Sequence, residues 1–265
     1  MSRLAQRGRP TAAALVAALG LLLALSSCSA GASGAGTRSF TVGGQAAVEI
    51  APAGTPRGLV IYLHGFGDDA TVITGAAKRT TVVQRLVDAG YVVAASDAHG
   101  DAWGNAASQA DHVALAGALR ARHHTTATFL LAESMGSVAA LRIVAGHQIA
   151  DLAGAAFVSP FIDYRLPLGP DYEASVRAAF GGALPADADN PALLPAADFA
   201  GTHLRFYVAT DDEVTVTSQQ AQPLFSRLQG IADESYRTCT GGHVAASCFQ
   251  ADDLVAWYDG LLSAG

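Results

Sequence analysis

The stretch that decides the fold is residues 126–145, TATFLLAESMGSVAALRIVA. Its first part, residues 126–132, is a short apolar run, which predicts a strand buried on both faces. Its last part, residues 136–145, has the apolar spacing of a helix. The few residues between them predict a sharp turn. A strand that passes through a sharp turn directly into a helix is typical of α/β proteins.

The same alternation of strand and helix extends over most of the chain. Further strands are predicted at residues 59–63, 91–95, 153–158, 204–209 and 235–239, and further helices at 82–89, 108–120, 218–229 and 252–262. Residues 39–50 alternate weakly and predict one or two antiparallel edge strands. Strands that alternate with helices form a mainly parallel sheet with helices on both faces. We therefore predict an α/β fold with a doubly wound sheet.

Residues 160–200 interrupt this rhythm. They contain six prolines and several glycines, and only a short amphipathic piece at 172–180. Ligands of doubly wound sheets bind at the carboxyl ends of the strands. We therefore expect this segment to be a short, irregular, lid-like insertion over those ends.

The composition favours a large core and excludes a polyanionic partner. Hydrophobic residues make up 51% of the chain and charged residues 15%, and the formal net charge is −7. Phosphate binding needs clustered lysine and arginine, and the sequence contains no such run. We therefore expect no nucleic-acid partner. Residues 38–265 have the length of one domain.

The N-terminal segment has the features of an export signal. Arg3, Arg7 and Arg9 precede an apolar run over residues 11–25. This run is shorter than the roughly 20 residues of a membrane-spanning helix. Residues 1–27 are therefore predicted to be a signal peptide, and an uncleaved membrane anchor is the alternative.

Residues 25–28, Leu-Ser-Ser-Cys, resemble the bacterial lipobox. That resemblance implies cleavage before Cys28 and a lipid on its sulfur, which would hold the protein at the membrane. Residues 28–37 are rich in serine, glycine and alanine and predict a flexible tether. We expect an exported lipoprotein of the cell membrane that faces outside the cytoplasm, and plain secretion is the alternative.

The turn within residues 126–145 carries a candidate nucleophile. Ser134 follows the predicted strand and opens the predicted helix, a position that exposes a serine at the strand end. The residues two positions to either side must be small so that strand and helix can approach, and they are Ala132 and Gly136. The usual form is Gly-x-Ser-x-Gly, from which Ala132 departs by one methyl group. A serine that only caps the helix is the alternative.

A second turn, His-Gly-Phe-Gly at residues 64–67, follows the first buried strand. A turn there can direct backbone N–H groups toward the serine, and such donors stabilise the negative charge that develops in acyl transfer. We assign this oxyanion role to the N–H groups of Phe66 and Met135, with Gly67 as the alternative to Phe66. His64 is expected to orient the turn.

A serine needs a base and an orienting carboxylate to act as a nucleophile. His243 lies on a loop after two glycines and follows the last predicted strand. Ser134, His243 and the turn at 64–67 together resemble the α/β-hydrolase superfamily over nearly the whole chain after the tether. Within it, the sequence looks most like bacterial esterases related to the prolyl-oligopeptidase and dienelactone-hydrolase branches.

The resemblance also implies where the acid lies, because the chain order in the superfamily is Ser, then Asp or Glu, then His. Residues 209–214, Ala-Thr-Asp-Asp-Glu-Val, resemble the family's Gly-x-x-Asp-x-Val turn and place the acid at Asp212. Asp211 and Glu213 are the alternatives. The resemblance therefore implies Asp212 as the third catalytic residue beside Ser134 and His243.

Residues 97–105 follow the strand predicted at 91–95 and contain an Asp-x-His-Gly turn. Similar turns recur at this place in the superfamily and border the site. The resemblance implies that Trp103 lines the substrate pocket. His64 and Gly67 are further candidates for the pocket.

Three groups of side chains have the chemistry of metal ligands: Asp-x-His-x-Asp at 97–101, Asp111 with His112, and His123 with His124. The first belongs to the turn just described, and the second is expected on the polar side of the helix at 108–120. The third would need another ligand to hold zinc. We therefore expect no metal, and the expected chemistry requires no cofactor.

The chain has three cysteines. With Cys28 assigned to a lipid, Cys239 and Cys248 remain as a pair in an oxidising compartment. A disulfide between them would close a small loop that contains His243. Two free buried thiols are the alternative.

The resemblance implies a serine hydrolase that cleaves carboxylic esters through an acyl-serine intermediate, with a small-molecule or lipid ester as its substrate. Acyl transfer to a cell-envelope acceptor and peptide hydrolysis are alternatives that use the same chemistry. A non-catalytic, surface-binding lipoprotein on a hydrolase scaffold is an alternative from another class, because a fold does not determine a function.

Overall fold

The structure is a computed structural model, and it describes residues 36–264. The predicted signal peptide, the proposed lipidation at Cys28 and most of the predicted tether lie outside the described residues. The first strand begins at Gly36, within the tether predicted at 28–37. It pairs with the second strand across a tight turn at Gly43 and Gly44, and this pairing extends the folded domain to Gly36.

An eight-stranded sheet forms the centre of the part of the chain that the structure describes. Its strands are β1 Gly36–Val42, β2 Gln45–Ala51, β3 Gly58–Leu63, β4 Tyr91–Ser96, β5 Thr128–Glu133, β6 Leu152–Val158, β7 His203–Ala209 and β8 Asp233–Cys239. Their order across the sheet is β1-β2-β4-β3-β5-β6-β7-β8. The pairs β1–β2 and β2–β4 are antiparallel, and the other pairs are parallel. The mainly parallel sheet predicted from the sequence is confirmed.

The helices are α1 Ala77–Asp88, α2 Ala106–His123, α3 Gly136–Ala145, α4 Pro170–Ala179, α5 Ala221–Leu228 and α6 Ala251–Ala264. Helix α3 has the bounds predicted from the sequence. Helix α1 begins at Ala77, five residues before its predicted start at residue 82. The apolar pattern misses this first turn because the side chain that it directs toward the protein is the charged Arg79, which pairs with Glu133. Within residues 36–264, no helix combines the length and the apolar character that a membrane span requires.

The sheet separates two apolar cores. Leu59, Ile61 and Leu63 of β3 face the core that contains α2, α3 and α5. Val60 and Tyr62 of the same strand face the core that contains α1 and α6. Since successive side chains of a strand point to opposite faces, a strand covered on both faces is a continuous apolar run. This explains the apolar runs that predict the central strands.

One prediction for α2 is wrong. Asp111 and His112 are expected on its polar side, but both are buried. His112 lines a small cavity together with Ala98 and Gly100 of the loop after β4. Desolvation lowers the pKa of the His112 ring to about 3, so the ring is neutral in the folded protein at neutral pH.

The segment predicted as an insertion contains α4 and three short 3-10 turns at Asp187–Asp189, Pro191–Leu193 and Ala196–Phe199. Val176 of α4 packs with Trp103 and Met135, which follow the carboxyl ends of β4 and β5. Phe199, near the end of the segment, lies instead in the core that contains α2, α3 and α5. The first half of the insertion therefore covers the strand ends, and the second half packs into the domain.

Candidate active site

Ser134 lies on the sharp turn between β5 and α3. Its backbone has a positive φ of 48°, and its N–H donates to the carbonyl oxygen of Val158 at 3.0 Å. A Cβ atom at Gly136 would lie 2.3 Å from the carbonyl oxygen of Leu63, so only glycine fits where α3 crosses the end of β3. Ala132 is fully buried, and its methyl group is accommodated. The turn therefore exposes the serine despite the alanine.

His243 lies within hydrogen-bond distance of Ser134. Its Nε2 atom is 2.8 Å from Ser134 Oγ, and its Nδ1 atom is 2.9 Å from Asp212 Oδ2. Both contacts are satisfied when the hydroxyl donates to Nε2 and the Nδ1–H group donates to the carboxylate. The side chain of Asp212 is 1% exposed and that of His243 is 17% exposed. The structure thus brings the three predicted residues into one hydrogen-bonded chain.

Two contacts hold the loop that carries His243. The N–H of Val244 donates to Ser159 Oγ at 3.1 Å, and Lys78 Nζ donates to the carbonyl oxygen of Val244 at 2.8 Å. Val244 and Ser159 both have positive φ, 46° and 44°. Backbone strain of this kind persists where surrounding contacts maintain it, so the loop is held in place from the ends of β6 and α1.

Asp212 accepts hydrogen bonds from the backbone as well as from the imidazole. The N–H groups of Val214 and Thr215 donate to its Oδ1 at 3.0 and 2.7 Å. Burial raises the pKa of Asp212, but the hydrogen bond and charge of His243 and the contacts with Thr215 offset this and lower it to about 2. The carboxylate is therefore ionised at neutral pH.

Asp211 and Glu213, the two alternative acids, have surroundings that differ from those of Asp212. Asp211 is exposed, and its Oδ2 accepts the N–H of Gly241 at 3.3 Å. Glu213 is also exposed and lines a cavity beside Ser134. The structure therefore separates three adjacent acids, of which Asp212 contacts the imidazole.

Thr215 is a site residue that the sequence analysis missed. Its Oγ1 atom lies 2.8 Å from Asp212 Oδ2, 3.2 Å from His243 Nδ1 and 3.1 Å from the carbonyl oxygen of Ser159. Its hydroxyl can donate to the carboxylate or to that carbonyl, so it links the acid to the end of β6. A sequence signal could have indicated this residue, because an aspartate side chain often accepts backbone N–H groups of the turn that follows it. Thr215 lies in the turn that follows Asp212.

Two backbone N–H groups lie beside the serine, those of Phe66 and Met135. Within residues 36–264, neither Phe66 nor Met135 donates its N–H to an acceptor. The N–H of Gly67 donates to Asp101 Oδ1 at 2.7 Å, so Gly67 is a poor alternative to Phe66. The turn lies against Ser134, since a Cβ atom at Gly65 would be 3.7 Å from the serine Cβ. Phe66 and Met135 therefore remain available for an oxyanion.

A cavity of about 270 Å³ lies beside Ser134. Its walls include Trp103, Phe161, Leu168, Tyr172 and Val214. Of the three residues predicted for the pocket, Trp103 lines this cavity, and His64 and Gly67 do not. The pocket is therefore formed mainly by the insertion and by the segment after β7, with Trp103 from the loop after β4.

His64 supports the turn at 64–67 instead. Its ring is buried, with Nδ1 2.8 Å from the carbonyl oxygen of Gly65 and Nε2 3.1 Å from the carbonyl oxygen of Asp97. These contacts join the turn after β3 to the loop after β4. The side chain therefore positions the turn and does not face the cavity.

The insertion contributes aromatic rings to the cavity wall. The centroid of Tyr172 in α4 lies 5.9 Å from that of Trp103 and 5.0 Å from that of Phe66. The centroid of Phe161 lies 5.2 Å from that of Trp103, and Trp103 Nε1 donates to Ser175 Oγ at 2.9 Å. The sequence analysis did not identify Tyr172 and Phe161, because only their spatial neighbours give them this position.

The Asp-x-His-x-Asp group at 97–101 is not arranged around one point. Asp97 Oδ1 accepts the N–H of Ala70 at 2.9 Å, whereas Asp101 holds Gly67. The ring of His99 lies beside Asp111, 3.1 Å from Nε2 to Oδ2. Across the described range 36–264, no group of three His, Cys, Asp or Glu side chains is placed to hold a metal ion.

Cys239 and Cys248 form a disulfide, with their Cα atoms 5.1 Å apart. Both residues are buried. The bridge joins the two ends of the loop that carries His243, so it restricts the positions that the imidazole can adopt.

Removal of this disulfide is expected to destabilise the protein. A bridge across a loop of this size contributes roughly 2–3 kcal/mol by restricting the unfolded chain. The double variant Cys239→Ala/Cys248→Ala should therefore unfold at a lower urea concentration than wild type. A reductant should shift the wild-type midpoint toward that of the variant and leave the variant's own midpoint unchanged. An unchanged wild-type midpoint in reductant would contradict a stabilising role.

Comparison with known proteins identifies the family. Residues 54–229, about two thirds of the chain, match the family described as serine aminopeptidase, S33. The chain belongs to this family of α/β hydrolases. The matched region contains Ser134 and Asp212 and ends before His243, so the position of the histidine rests on the structure. A comparison with curated protein sequences finds no match.

Solved structures share the fold. TT1662 from Thermus thermophilus has a TM-score of 0.64 at 17% identity, and the match covers 86% of this chain and 98% of that one. The esterase Pf2001 from Pyrococcus furiosus has a TM-score of 0.62 at 16% identity, and the match covers 87% of this chain and 92% of that one. FphF, a fluorophosphonate-binding serine hydrolase from Staphylococcus aureus, has a TM-score of 0.64 at 15% identity, and the match covers 86% of this chain and 98% of that one. The predicted α/β-hydrolase fold is thereby confirmed.

Proposed function

We propose that the chain is a serine esterase that hydrolyses carboxylic esters through an acyl intermediate on Ser134. The observation that carries the proposal is the hydrogen-bonded chain from Ser134 Oγ through His243 to Asp212, with distances of 2.8 and 2.9 Å. Two backbone N–H groups that find no acceptor among residues 36–264 lie beside it, together with a largely apolar cavity. This combination supplies a nucleophile, a base, an orienting acid, oxyanion donors and a substrate site.

In the first step, His243 Nε2 removes the proton from Ser134 Oγ, and this oxygen attacks the carbonyl carbon of the ester. The N–H groups of Phe66 and Met135 stabilise the negative charge that develops on the carbonyl oxygen. Asp212 remains ionised and stabilises the imidazolium. The imidazolium then gives its proton to the leaving alcohol, and the acyl group remains on the serine.

In the second step, water takes the place of the alcohol. His243 removes a proton from this water as it attacks the acyl carbon, and the same backbone donors stabilise the oxyanion. His243 then returns the proton to Ser134 Oγ as the carboxylic acid leaves. The steps use groups of this chain and require no cofactor.

The size of the cavity favours a short acyl group. Its volume of about 270 Å³ lies just below the roughly 300–1,000 Å³ of sites for drug-sized ligands. Phe161, Leu168 and Tyr172 give it apolar walls, which suit a hydrocarbon chain. We therefore propose acyl groups of short to medium length as substrates.

Labelling and turnover test this proposal together. The purified protein should react with a fluorophosphonate probe, and it should hydrolyse p-nitrophenyl acetate, butyrate and octanoate faster than the palmitate, because the longest chain exceeds the cavity. Gel fluorescence and initial rates measure the two properties. A folded protein that neither reacts with the probe nor hydrolyses any of the esters would contradict the proposal and favour a non-catalytic binding scaffold.

Hydrolysis of an N-terminal peptide bond is a second candidate, and two observations favour it. The family description names aminopeptidases, and Glu213 places a carboxylate in the cavity wall, where it can pair with a free ammonium group. An aminopeptidase should cleave aminoacyl p-nitroanilides only when their amino group is free, and Glu213→Gln should raise KM for them. No cleavage of these anilides, with equal ester turnover by both proteins, would contradict this candidate.

We also propose that the protein is exported and held at the membrane by a lipid on Cys28. This rests on the lipobox-like residues 25–28 and on the basic and apolar segment before them. In cells, the wild type should sediment with membranes and incorporate radiolabelled palmitate, and Cys28→Ser should do neither. Incorporation of palmitate by Cys28→Ser would contradict the assignment.

A further inference from the structure

The two proposed oxyanion donors lie on separate segments, and each has a carboxylate two residues away. Phe66, in the turn after β3, is followed by Asp68, and Met135, at the start of α3, is preceded by Glu133. The position of one donor relative to the other therefore depends on how these two carboxylates are held. This matters because oxyanion donors lower a barrier only when they are fixed before the reaction.

One side chain, Arg79 of α1, contacts both carboxylates. Its Nη2 atom lies 2.7 Å from Asp68 Oδ2, and its Nε atom lies 2.7 Å from Glu133 Oε2. Nη2 also donates to Glu133 Oε1. The side chains of Arg79 and Glu133 are 12% and 2% exposed, so water screens their pair weakly. A planar guanidinium with several donors can hold two carboxylates in a fixed arrangement.

Glu133 is also fixed from the sheet. The O–H of Tyr62 in β3 donates to Glu133 Oε2 at 2.6 Å. Burial and the neighbouring Glu133 carboxylate raise the pKa of this phenol, so it remains protonated and keeps donating. Arg79 thus joins a carboxylate anchored in the sheet to Asp68, which is more exposed.

A short connection leads from Asp68 to the nucleophile. The N–H of Asp68 donates to the carbonyl oxygen of Gly65 at 3.3 Å, which closes the turn around Phe66. Gly65 in turn lies against the serine, since a Cβ atom there would be 3.7 Å from Ser134 Cβ. A shift of Asp68 would therefore move the Phe66 N–H relative to the reacting atoms.

We propose that Arg79 is a positioning residue that sets the distance between the Phe66 and Met135 N–H groups by holding Asp68 and Glu133 together. This role rests on the proposed esterase function. Loss of the contact slows the step in which charge develops on the carbonyl oxygen. Substrate binding changes little, because neither Arg79 nor Asp68 lines the cavity.

Asp68→Ala tests this role with little risk to folding. The carboxylate is 28% exposed, and its removal leaves the buried pair of Arg79 and Glu133 in place. For p-nitrophenyl butyrate, kcat per fluorophosphonate-titrated site should fall roughly 10- to 100-fold, with KM within about threefold of wild type. Arg79→Lys should show a similar loss, because one ammonium cannot reproduce the forked contact.

The specific readout is the preference for an ester over the matching thionoester, whose sulfur accepts hydrogen bonds weakly. Wild type should strongly prefer the ester, and Asp68→Ala should lose most of that preference. The pH profile of kcat/KM should not move. The matched control is Asp252→Ala. It breaks an exposed ion pair with Arg85, which lies on α1 as Arg79 does, and it should keep the wild-type kcat and the wild-type preference for the ester.

The possible results separate this role from the proposed function. A wild-type ester preference in Asp68→Ala would overturn the positioning role and leave the esterase mechanism in place. A lower melting temperature with unchanged kcat per titrated site would also overturn it, because the contacts would then be purely structural. A wild type that is neither labelled nor active would overturn the proposed function and this role with it.

Discussion

Ser134→Ala is expected to abolish fluorophosphonate labelling and to lower kcat/KM for p-nitrophenyl butyrate by roughly 10⁴- to 10⁶-fold. Ser134 Oγ is the atom proposed to form the acyl bond, and His243 Nε2 lies 2.8 Å from it. Without this atom, the oxyanion donors and substrate binding supply only a residual acceleration over water. The fold should be retained, because alanine keeps the backbone N–H that donates to the carbonyl oxygen of Val158.

Ser137, in the first turn of α3, provides a matched control three residues along the chain. Its hydroxyl is buried and finds no hydrogen-bond partner among residues 36–264. Ser137→Ala should retain full labelling and turnover, and it should not lower the free energy of unfolding, because an unpaired buried hydroxyl is itself unfavourable. Labelling that persists in Ser134→Ala would contradict the assignment and place the nucleophile at another residue.

The sheet could be predicted from the sequence because its central strands are covered on both faces. Coverage on both faces leaves short continuous apolar runs such as residues 59–63 and 91–95. Helix α3 could be predicted to the residue, since Gly136 opens it and Gly146 follows its last residue. Strand β1 is largely exposed, so its pattern is weak, and its start at Gly36 could not be read.

The start of α1 could not be predicted, for a reason that bears on the site. Apolar spacing begins at Val82, whereas the helix begins at Ala77. Lys78 and Arg79 in its first turn have partners far along the chain, the carbonyl of residue 244 and the carboxylate of Glu133. A pattern of apolar residues does not reveal a charged face whose partners are distant in sequence.

The candidate site could be predicted where one short segment carries the information. Ser134 has its small neighbours within two residues, and two glycines precede His243. Thr215 and Tyr172, in contrast, acquire their positions through contacts with other segments. The acid is an intermediate case, because three adjacent acids share one local sequence and burial distinguishes Asp212 from the other two.

Asp212→Asn is expected to lower kcat for p-nitrophenyl butyrate by roughly 10⁴-fold at neutral pH. The amide can donate to His243 Nδ1, which favours the tautomer with its proton on Nε2, and that nitrogen then cannot accept the serine proton. In wild type, burial raises the pKa of Asp212, but the hydrogen bond and charge of His243 bring it to about 2. The carboxylate therefore stays ionised at weakly acidic pH, and a fall in rate there must come from another group.

Asp211→Asn is the matched control, because it makes the same chemical change one residue away. Its carboxylate is exposed and contacts the N–H of Gly241 at 3.3 Å, so kcat should stay within about threefold of wild type. A large loss in Asp211→Asn with little loss in Asp212→Asn would assign the acid to Asp211. Small effects in both variants would mean that His243 needs no carboxylate to hold its tautomer. That result would contradict the mechanism, in which Asp212 is the buried charge that contacts the His243 ring.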